Sequence, residues 1–402
     1  MRKKHFLFAS VLALLCGSST LHAQDFKLTS SGYFKNQGVD VMAFDDIYPE
    51  GHQGGVCIIM NGHRVATNGD IRLEATPGQW QPVPKQLDRK LGDNSITATL
   101  CYPDSSRHLT GFNPMIYPDL HLIYTVNVES KGKNIEVTVD LDRPIPQEFI
   151  GKVGFNLEFF PGSLFGKPWI MDGQSGIFLQ QPNSPLMTTQ PNYLHTGNYH
   201  DGKKSLADMD KLIGKGYSPI VADDIISEPY AKGTKFTSRP DDPYNKVTIE
   251  SLSGDLQLFD GRMNHNNGWF VLRSNIKPGV TKGAVKWIIT PNVVADWMYQ
   301  PVIQTSQIGY HPTQDKEAVI EMDIRDNRKE TAQIIRIDAD GEKVVKNVTP
   351  ANWGKFLRYN YLKVNFTDVK EPGLYKIKYN TSVSPIFRID NDVYARGVWQ
   401  PV

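Results

Sequence analysis

The sequence has little cysteine, no excess of charge of either sign and no long apolar run beyond its N-terminal region. Three cysteines in 402 residues do not make a disulfide scaffold, so stability must come from hydrophobic cores. Lys and Arg number 44 against 43 Asp and Glu, a balance that argues against nucleic acid or an anionic membrane as a partner. Because no later segment approaches transmembrane length, we also expect no membrane span.

The N-terminus has the layout of a secretory signal peptide. A basic stretch at 2–4 precedes an apolar run over 6–15, and a polar stretch ends at Ala23, where we expect cleavage. Removing residues 1–23 takes away three positive charges and leaves 41 basic against 43 acidic residues, a net charge of −2. The sequence therefore predicts a secreted or periplasmic protein. Cys16 offers lipid attachment and cell-surface association as the alternative, although Leu15 is not the small residue that a lipidation box wants before its cysteine.

Cys57 and Cys101 remain in the mature chain, both within apolar runs that are typical of strands. Export permits a disulfide between them, and two small buried hydrophobic side chains are the alternative. The sequence does not tell whether their Cα atoms lie close enough to bridge.

Alternation of apolar and polar residues dominates 24–292 and predicts an all-β fold, a large antiparallel β-sandwich. Segments 120–129 and 134–141 flank a turn sequence and predict a hairpin. Segments 246–250 and 256–258, separated by Ser-Gly-Asp, predict a second hairpin. Long connections rich in Pro, Gly and Asn lie between the strands and are candidates for functional loops.

A linker is predicted at 293–301. Pro291 and Pro301 mark its ends, since proline fixes φ and donates no ladder hydrogen bond. Trp297 and Tyr299 lie within it, which indicates that the linker packs between two domains.

A smaller sandwich of alternating strands is predicted at 302–392. It opens with Gln307-Ile-Gly-Tyr-His-Pro312 and continues to Glu371-Pro-Gly-Leu-Tyr375 and Phe387-Arg-Ile389. In order and spacing, these three motifs resemble the immunoglobulin-like domain that precedes the catalytic barrel in glycoside hydrolase family 9, the cellulase family. The resemblance implies an immunoglobulin-like domain here, with the start of a catalytic domain at 393–402.

The resemblance also implies a cellulase-like glycoside hydrolase acting on β-glucan-type polysaccharide, but it supplies no catalytic residue. Family members place an Asp-Ala-Gly-Asp motif in a helical barrel, which would follow Val402. The nearest string, Asp338-Ala-Asp-Gly341, differs from that motif and suits a tight turn. Acidic clusters lack the pattern of a calcium loop, and no phosphate loop occurs, so we expect no metal and no cofactor.

Carbohydrate sites pair aromatic platforms with polar side chains, and three stretches have that composition. The candidate carbohydrate-binding residues are Trp169, Asp172, Tyr193, His195, Arg262, Asn266 and Trp269. The alternative is that Trp169 and Trp269 fill a core, as tryptophans in sandwiches often do.

Three functional hypotheses follow. The first is the non-catalytic N-terminal part of a secreted cellulase-like hydrolase, whose immunoglobulin-like domain supports a catalytic barrel and whose partner is a polysaccharide or oligosaccharide. The second is a self-contained surface glycan-binding protein. In the third, the large domain is itself an enzyme with its site in the long loops.

Overall fold

Two nine-stranded antiparallel sheets contain most of the described strands between Lys27 and Pro291 in the computed structural model. The structure describes residues 25–45, 54–74, 76–78, 82, 84–102, 106, 118–182, 186–187, 226–263 and 268–395. Strands are numbered in chain order, and each sheet is given in its spatial order.

The first large sheet contains β1 (Lys27–Leu28), β2 (Phe34–Asn36), β3 (Val39–Ala43), β4 (Val56–Met60), β5 (His63–Leu73), β10 (Val153–Phe159), β19 (Phe270–Asn275), β18 (Leu256–Asp260) and β15 (Ala231–Gly233). The second large sheet contains β12 (Gln174–Ile177), β11 (Pro168–Met171), β16 (Lys235–Ser238), β17 (Val247–Ser251), β20 (Val285–Pro291), β9 (Asn134–Leu141), β8 (Ile123–Lys131), β7 (Ser95–Cys101) and β6 (Lys85–Leu91). Two short strands, β13 (Leu186–Met187) and β14 (Ile226–Ser227), pair with each other.

One hydrophobic core lies between the two large sheets. The ring of Phe155 in β10 packs edge-on against Trp287 in β20, with centroids 5.0 Å apart. In the same way, Phe159 meets Phe236 across the sheets at 5.8 Å. Such aromatic pairs add to the gain from burying apolar area, so they help to hold the two sheets face to face.

The hairpin predicted from 120–129 and 134–141 is confirmed, because β8 pairs antiparallel with β9. The apolar residues of β9 are buried, and they alternate with half-buried polar ones. The predicted hairpin of 246–250 and 256–258 is wrong. In the structure β17 pairs with β16 and β20 in one sheet, whereas β18 pairs with β15 and β19 in the other. The Ser-Gly-Asp connection therefore crosses between the sheets.

The small sandwich has a four-stranded and a five-stranded sheet. The four-stranded sheet has the order β21 (Val302–Gln304), β22 (Glu317–Asp323), β26 (Tyr359–Asn365) and β25 (Ala351–Phe356). The five-stranded sheet contains β24 (Gly341–Val348), β23 (Ala332–Asp338), β27 (Gly373–Tyr379), β28 (Ser382–Val383) and β29 (Phe387–Ile389), which pairs with β27. Asp338 lies opposite Gly341 across a hairpin turn, as the sequence predicts.

A second, separate core fills the small sandwich. Tyr310 is 5% exposed and Tyr375 is 1% exposed. The Tyr310 ring packs edge-on against Phe366 and Phe387, with centroids 5.1 and 5.3 Å away. Its hydroxyl accepts from Ser306 N and donates to the Glu317 carbonyl, both at 3.0 Å. The predicted fold class, a large antiparallel β-sandwich followed by a smaller immunoglobulin-like one, is confirmed.

Regular helix is limited to short 3₁₀ turns in the described part of the chain, at Gln147–Phe149, Pro161–Ser163 and Gly261–Met263 and at the single residue Ser106. Within that part, no helix is long and apolar enough to cross a bilayer. Cys57 lies in β4 and Cys101 in β7, on opposite sheets, and no disulfide joins them. Cys57 is buried, as the alternative expects, whereas Cys101 is only half-buried.

Candidate functional site

Trp169 lies in β11 and Asp172 directly follows that strand, which is the second from the edge of the second large sheet. Trp169 is 6% exposed, and its indole lies over Gly176 so closely that a Cβ there would meet the ring at 2.4 Å. The Asp172 carboxylate accepts hydrogen bonds from the backbone N–H groups of Thr234 and Lys235 at 2.8 and 3.0 Å. Both side chains therefore have structural contacts, and their role in carbohydrate binding stays a prediction.

Arg262 and Trp269 lie together where β18 leads into β19. The Arg262 guanidinium donates to both carboxylate oxygens of Asp260 at 2.8 and 2.9 Å and to two backbone carbonyls. It also lies over the Phe270 ring, 4.4 Å from the centroid. These contacts occupy most of its five N–H donors. Trp269 is half-buried and packs edge-on against Phe160 with centroids 4.5 Å apart.

The other three candidates, Tyr193, His195 and Asn266, lie outside the described residues. The structure thus brings Arg262 and Trp269 together, and it places Trp169 and Asp172 in the other large sheet. Carbohydrate binding by these seven residues remains a prediction.

The linker segment contacts both sandwiches, as its two aromatic residues suggested. Gly38 in the β2–β3 turn has φ +69, and a Cβ there would meet the Trp297 ring at 2.8 Å. Gln37 donates from Nε2 to the Trp297 carbonyl at 3.0 Å, and Arg325 of the small sandwich donates to the same carbonyl at 2.5 Å. A glycine is needed at position 38 because it both takes a left-handed conformation and leaves room for the indole.

A cleft of about 450 Å³ opens at this junction. Three aromatic rings contribute to its wall: Trp297, Tyr299 and Tyr359. The polar and charged residues that line it are Asp25, Lys27, Thr29, Lys35, Asn36, Gln37, Asp40, Asp323, Arg325 and Arg358. Aromatic faces beside convergent hydrogen-bonding groups are what an uncharged sugar requires, so this cleft is the first candidate site.

Charge pairs fix the polar wall of the cleft. Asp40 and Arg358 join the two sandwiches at 3.5 Å, and burial raises the pKa of Asp40 although Arg358 and Lys35 oppose that shift. Asp323 accepts from Arg325 Nε at 2.8 Å. Burial raises the pKa of Asp323, but the hydrogen bonds from Arg325 and from the Tyr299 N–H outweigh it and lower the pKa to about 2. The Asp323 carboxylate is therefore ionised at neutral pH.

A second candidate site is a buried polar cluster in the first large sheet. Its members lie in the central strands β5, β10 and β19 or directly after β5, and most of them alternate with core residues. They are Asn68, Asp70, Arg72, Glu74, Asn156, Glu158 and Arg273. Antiparallel register sets Asn156 opposite both Asp70 and Arg273. Each of these side chains is buried, and Asp70 accepts a hydrogen bond at 3.0 Å from the hydroxyl of Tyr124 in the second large sheet.

Short hydrogen bonds connect the cluster. Asn68 Nδ2 donates to Glu158 Oε2 at 2.5 Å, and Asn156 Nδ2 donates to Glu74 Oε1 at 2.6 Å. Arg273 reaches the Glu74 carboxylate at 3.4 Å and its backbone carbonyl at 2.9 Å. Among the described residues, the buried atoms Asn68 Oδ1, Arg72 Nε and Glu74 Oε2 have no hydrogen-bond partner.

Burial perturbs the acids of this cluster. It raises the pKa of Glu74 to about 7, because desolvation together with the nearby Glu158 charge outweighs the opposing effect of Arg273. It raises the pKa of Asp70 to about 6, against the opposing charge of Arg72. Chemically, a carboxyl group with a pKa near 7 can hold or release a proton at neutral pH.

Sequence reasoning missed this cluster. The alternation Asn68, Asp70, Arg72 along β5 has the same pattern as a strand with one face in solvent. Only the burial of both faces distinguishes the two cases, and it depends on tertiary structure. The only sign of the cluster in the sequence is that two arginines and three carboxylates lie in or next to three strand-like segments. The pairing of these strands must be known before the charges can be seen to lie together.

Comparison with known proteins supports the interpretation of the small sandwich. Residues 298–384 match the family model described as the cellulase N-terminal ig-like domain. The small sandwich is a cellulase-associated immunoglobulin-like domain. No curated protein matches the chain.

Two solved structures are similar to parts of the chain. A metagenome-derived glycoside hydrolase family 9 endoglucanase shares 29% sequence identity over 22% of this chain, with a TM-score of 0.20. The match spans only 18% of the endoglucanase chain. The Slr1438 protein from Synechocystis sp. PCC 6803 shares 10% identity over 72% of this chain and 100% of its own, with a TM-score of 0.31. Both TM-scores are low, and neither likeness supports a statement about function.

Proposed function

We propose that the chain is the non-catalytic N-terminal part of a secreted cellulase-like glycoside hydrolase that acts on β-glucan-type polysaccharide. The match of 298–384 to the cellulase N-terminal ig-like domain carries this proposal. In this role the small sandwich supports a catalytic barrel that follows it in the polypeptide, beyond Val402. The large sandwich is an accessory domain attached in front of it.

The architecture of the small sandwich suits such a support. Tyr310 makes a parallel bridge to Ile389, so the segment that opens the small sandwich is hydrogen-bonded to the segment that closes it. Beyond β29, the Tyr394 hydroxyl donates to Gln314 Oε1 at 2.7 Å. Hydrogen bonds therefore hold the chain in place where it leaves the small sandwich, which would fix the direction of a following domain.

A self-contained surface glycan-binding protein is the second candidate function, and a specific observation favours it. Trp353 and Phe356 are each 56% exposed on the four-stranded sheet. Exposed aromatic surface of this kind is typical of a binding face, and it needs no catalytic domain.

The reading frame downstream of the Val402 codon tests the proposal. We expect a continuation of about one domain with helical periodicity and a paired-aspartate motif. A stop codon directly after Val402 would contradict the proposal and support the second candidate. In parallel, the purified chain should release no reducing ends from soluble β-glucan. Release that a Glu74→Gln substitution abolishes would instead place an enzyme in the large sandwich.

A further inference from the structure

Six aromatic rings form a continuous aromatic strip across the junction and the four-stranded sheet. In spatial order they are Trp297, Tyr299, Tyr359, Tyr361, Trp353 and Phe356. Successive ring centroids lie 6.4, 5.0, 6.1, 5.6 and 6.5 Å apart. The first three rings line the junction cleft, and the last three line a shallow apolar depression with Val319 and Lys363.

Strand geometry places these rings on the outer face of the sheet. Tyr359 and Tyr361 alternate along β26 with Asn360 and Leu362, which are buried. Tyr361 lies opposite Glu321 of β22, which accepts a hydrogen bond from the Tyr299 hydroxyl at 2.9 Å. Tyr359 and Tyr361 therefore stand on a central strand of the sheet, and Trp353 and Phe356 stand on the edge strand paired with it.

A β-bulge directs Trp353 onto the same face. The register of β25 against β26 shifts between Asn352 and Gly354, and Gly354 has φ +122. Bulges re-aim a side chain in this way, and the glycine allows the backbone conformation. The Trp353 ring consequently meets Tyr361 edge-on at 5.6 Å and stays 56% exposed.

The exposure of the strip is unusual for a soluble sandwich. Phe356 is 56% exposed, and Leu357 at the adjoining turn is 79% exposed with φ +51. Leu357 lies in the two-residue turn that joins β25 to β26, where positive φ is common. Contiguous apolar surface beside polar groups marks an interaction site.

Charge around the strip identifies the class of ligand. Three cations beside it are each paired with a carboxylate: Lys363 with Glu317 at 3.0 Å, Arg358 with Asp40 at 3.5 Å, and Arg325 with Asp323 at 2.8 Å. With Lys27, Lys35 and Asp25, which also line the junction cleft, its wall carries four basic and three acidic side chains. A surface with charges so nearly balanced lacks the strong positive field that phosphate backbones require. Stacking rings flanked by paired polar groups instead fit a chain of uncharged sugars, whose rings offer apolar faces and hydroxyls.

We infer that the aromatic strip binds an extended, uncharged polysaccharide chain, with one end of the ligand in the junction cleft. This inference rests on the proposed function only for the choice of β-glucan as the probe. Phe387–Ile389, the last described strand, belongs to the five-stranded sheet, whereas Tyr359, Tyr361, Trp353 and Phe356 lie in the opposite, four-stranded sheet.

Affinity electrophoresis of the full chain through gels containing soluble β-glucan tests the inference, with Trp353→Ala as the test variant. We expect β-glucan to retard the wild type, and retardation by Trp353→Ala to be about tenfold weaker, since exposed aromatic anchors carry much of the binding in such sites. Trp353→Phe should recover part of it. Ile386→Ala, which alters a residue 61% exposed next to the other sheet, is the matched control and should bind like the wild type.

Several outcomes would overturn the inference. One is that β-glucan does not retard the wild type. Another is that Trp353→Ala and Ile386→Ala lose retardation by β-glucan equally. A third is that heparin, rather than β-glucan, retards the wild type. A change of sedimentation coefficient in Trp353→Ala alone would show that the strip is a contact between protein molecules. The proposed function is tested separately by the downstream reading frame. If the downstream sequence continues as a helical domain but the chain does not bind glucan, binding by the aromatic strip is refuted and the proposed function stands.

Discussion

Glu74→Gln is the substitution that most directly probes the buried polar cluster. Glu74 is 1% exposed and follows β5, with Arg273 at 3.4 Å and the Asn156 amide at 2.6 Å. Its pKa is raised from 4.5 to about 7, mainly by burial. Glutamine has the shape of the protonated glutamic acid and keeps an oxygen for Asn156, but it cannot ionise.

The sign of the effect follows from proton linkage. Between pH 4.5 and 7 the folded state holds a proton on Glu74 that the unfolded state has released, so stability is fully present below pH 4.5 and falls as the pH rises through 7. A shift of this size corresponds to a loss of about 3 kcal/mol. Asp70, with its pKa raised to about 6, adds a slope of the same sign at lower pH.

Urea denaturation at pH 5, 6, 7 and 8 measures this slope. We expect the two proteins to differ little at pH 5, where Glu74 is protonated. Relative to the wild type, Glu74→Gln should gain stability as the pH rises to 8, by up to about 3 kcal/mol. Glu148→Gln, at an exposed position in a 3₁₀ turn, is the control and should track the wild type. A difference between Glu74→Gln and wild type that stays constant across this range would refute the assignment of a buried, proton-holding carboxyl.

Three further predictions concern the junction and the small sandwich. Gly38→Ala should lower the free energy of unfolding by about 1–3 kcal/mol more than Gly151→Ala, because both have positive φ but only position 38 faces the Trp297 ring; thermal unfolding of the pair measures this. Tyr310→Phe should reduce it by about 1 kcal/mol in urea, since the hydroxyl accepts one backbone hydrogen bond and donates another. Asp323→Asn should reduce the loss of unfolding free energy that occurs as the pH falls from 4 to 2. Because the pKa of Asp323 is lowered to about 2, this carboxylate stabilises the fold above pH 3.8 and ceases to do so as it becomes protonated. An unchanged pH dependence of the unfolding free energy in this range would contradict that role.

Much of the fold could be predicted from the sequence because alternation is a local property. The β8–β9 hairpin followed from two alternating segments and a turn, and the small sandwich followed from motifs at its two ends. The connection between β17 and β18 shows the limit. A Ser-Gly-Asp turn suits a hairpin and a crossing between sheets equally well, and only the choice of neighbouring strands decides between them.

The candidate sites were harder to predict because they depend on partners distant in sequence. Trp297 and Tyr299 were recognised as linker aromatics that pack between domains, which the contacts with Gly38 and Gly62 agree with. Their continuation through Tyr359 to Trp353 arises from cross-strand register and from a bulge. Neither feature has a sequence pattern of its own.

The two ends of the aromatic strip differ in what holds them in place. Trp353 and Tyr361 are fixed by the ladder of the small sandwich alone, whereas Trp297 keeps its position through Gln37 and Gly38 of the large sandwich. The full strip therefore exists only while the two sandwiches stay in contact. A ligand that spans all six rings would bind the docked arrangement better than any separated one, and by linkage it would stabilise that contact by the same free energy. The large sandwich can thus contribute to glycan binding through the junction, without contributing a ring of its own.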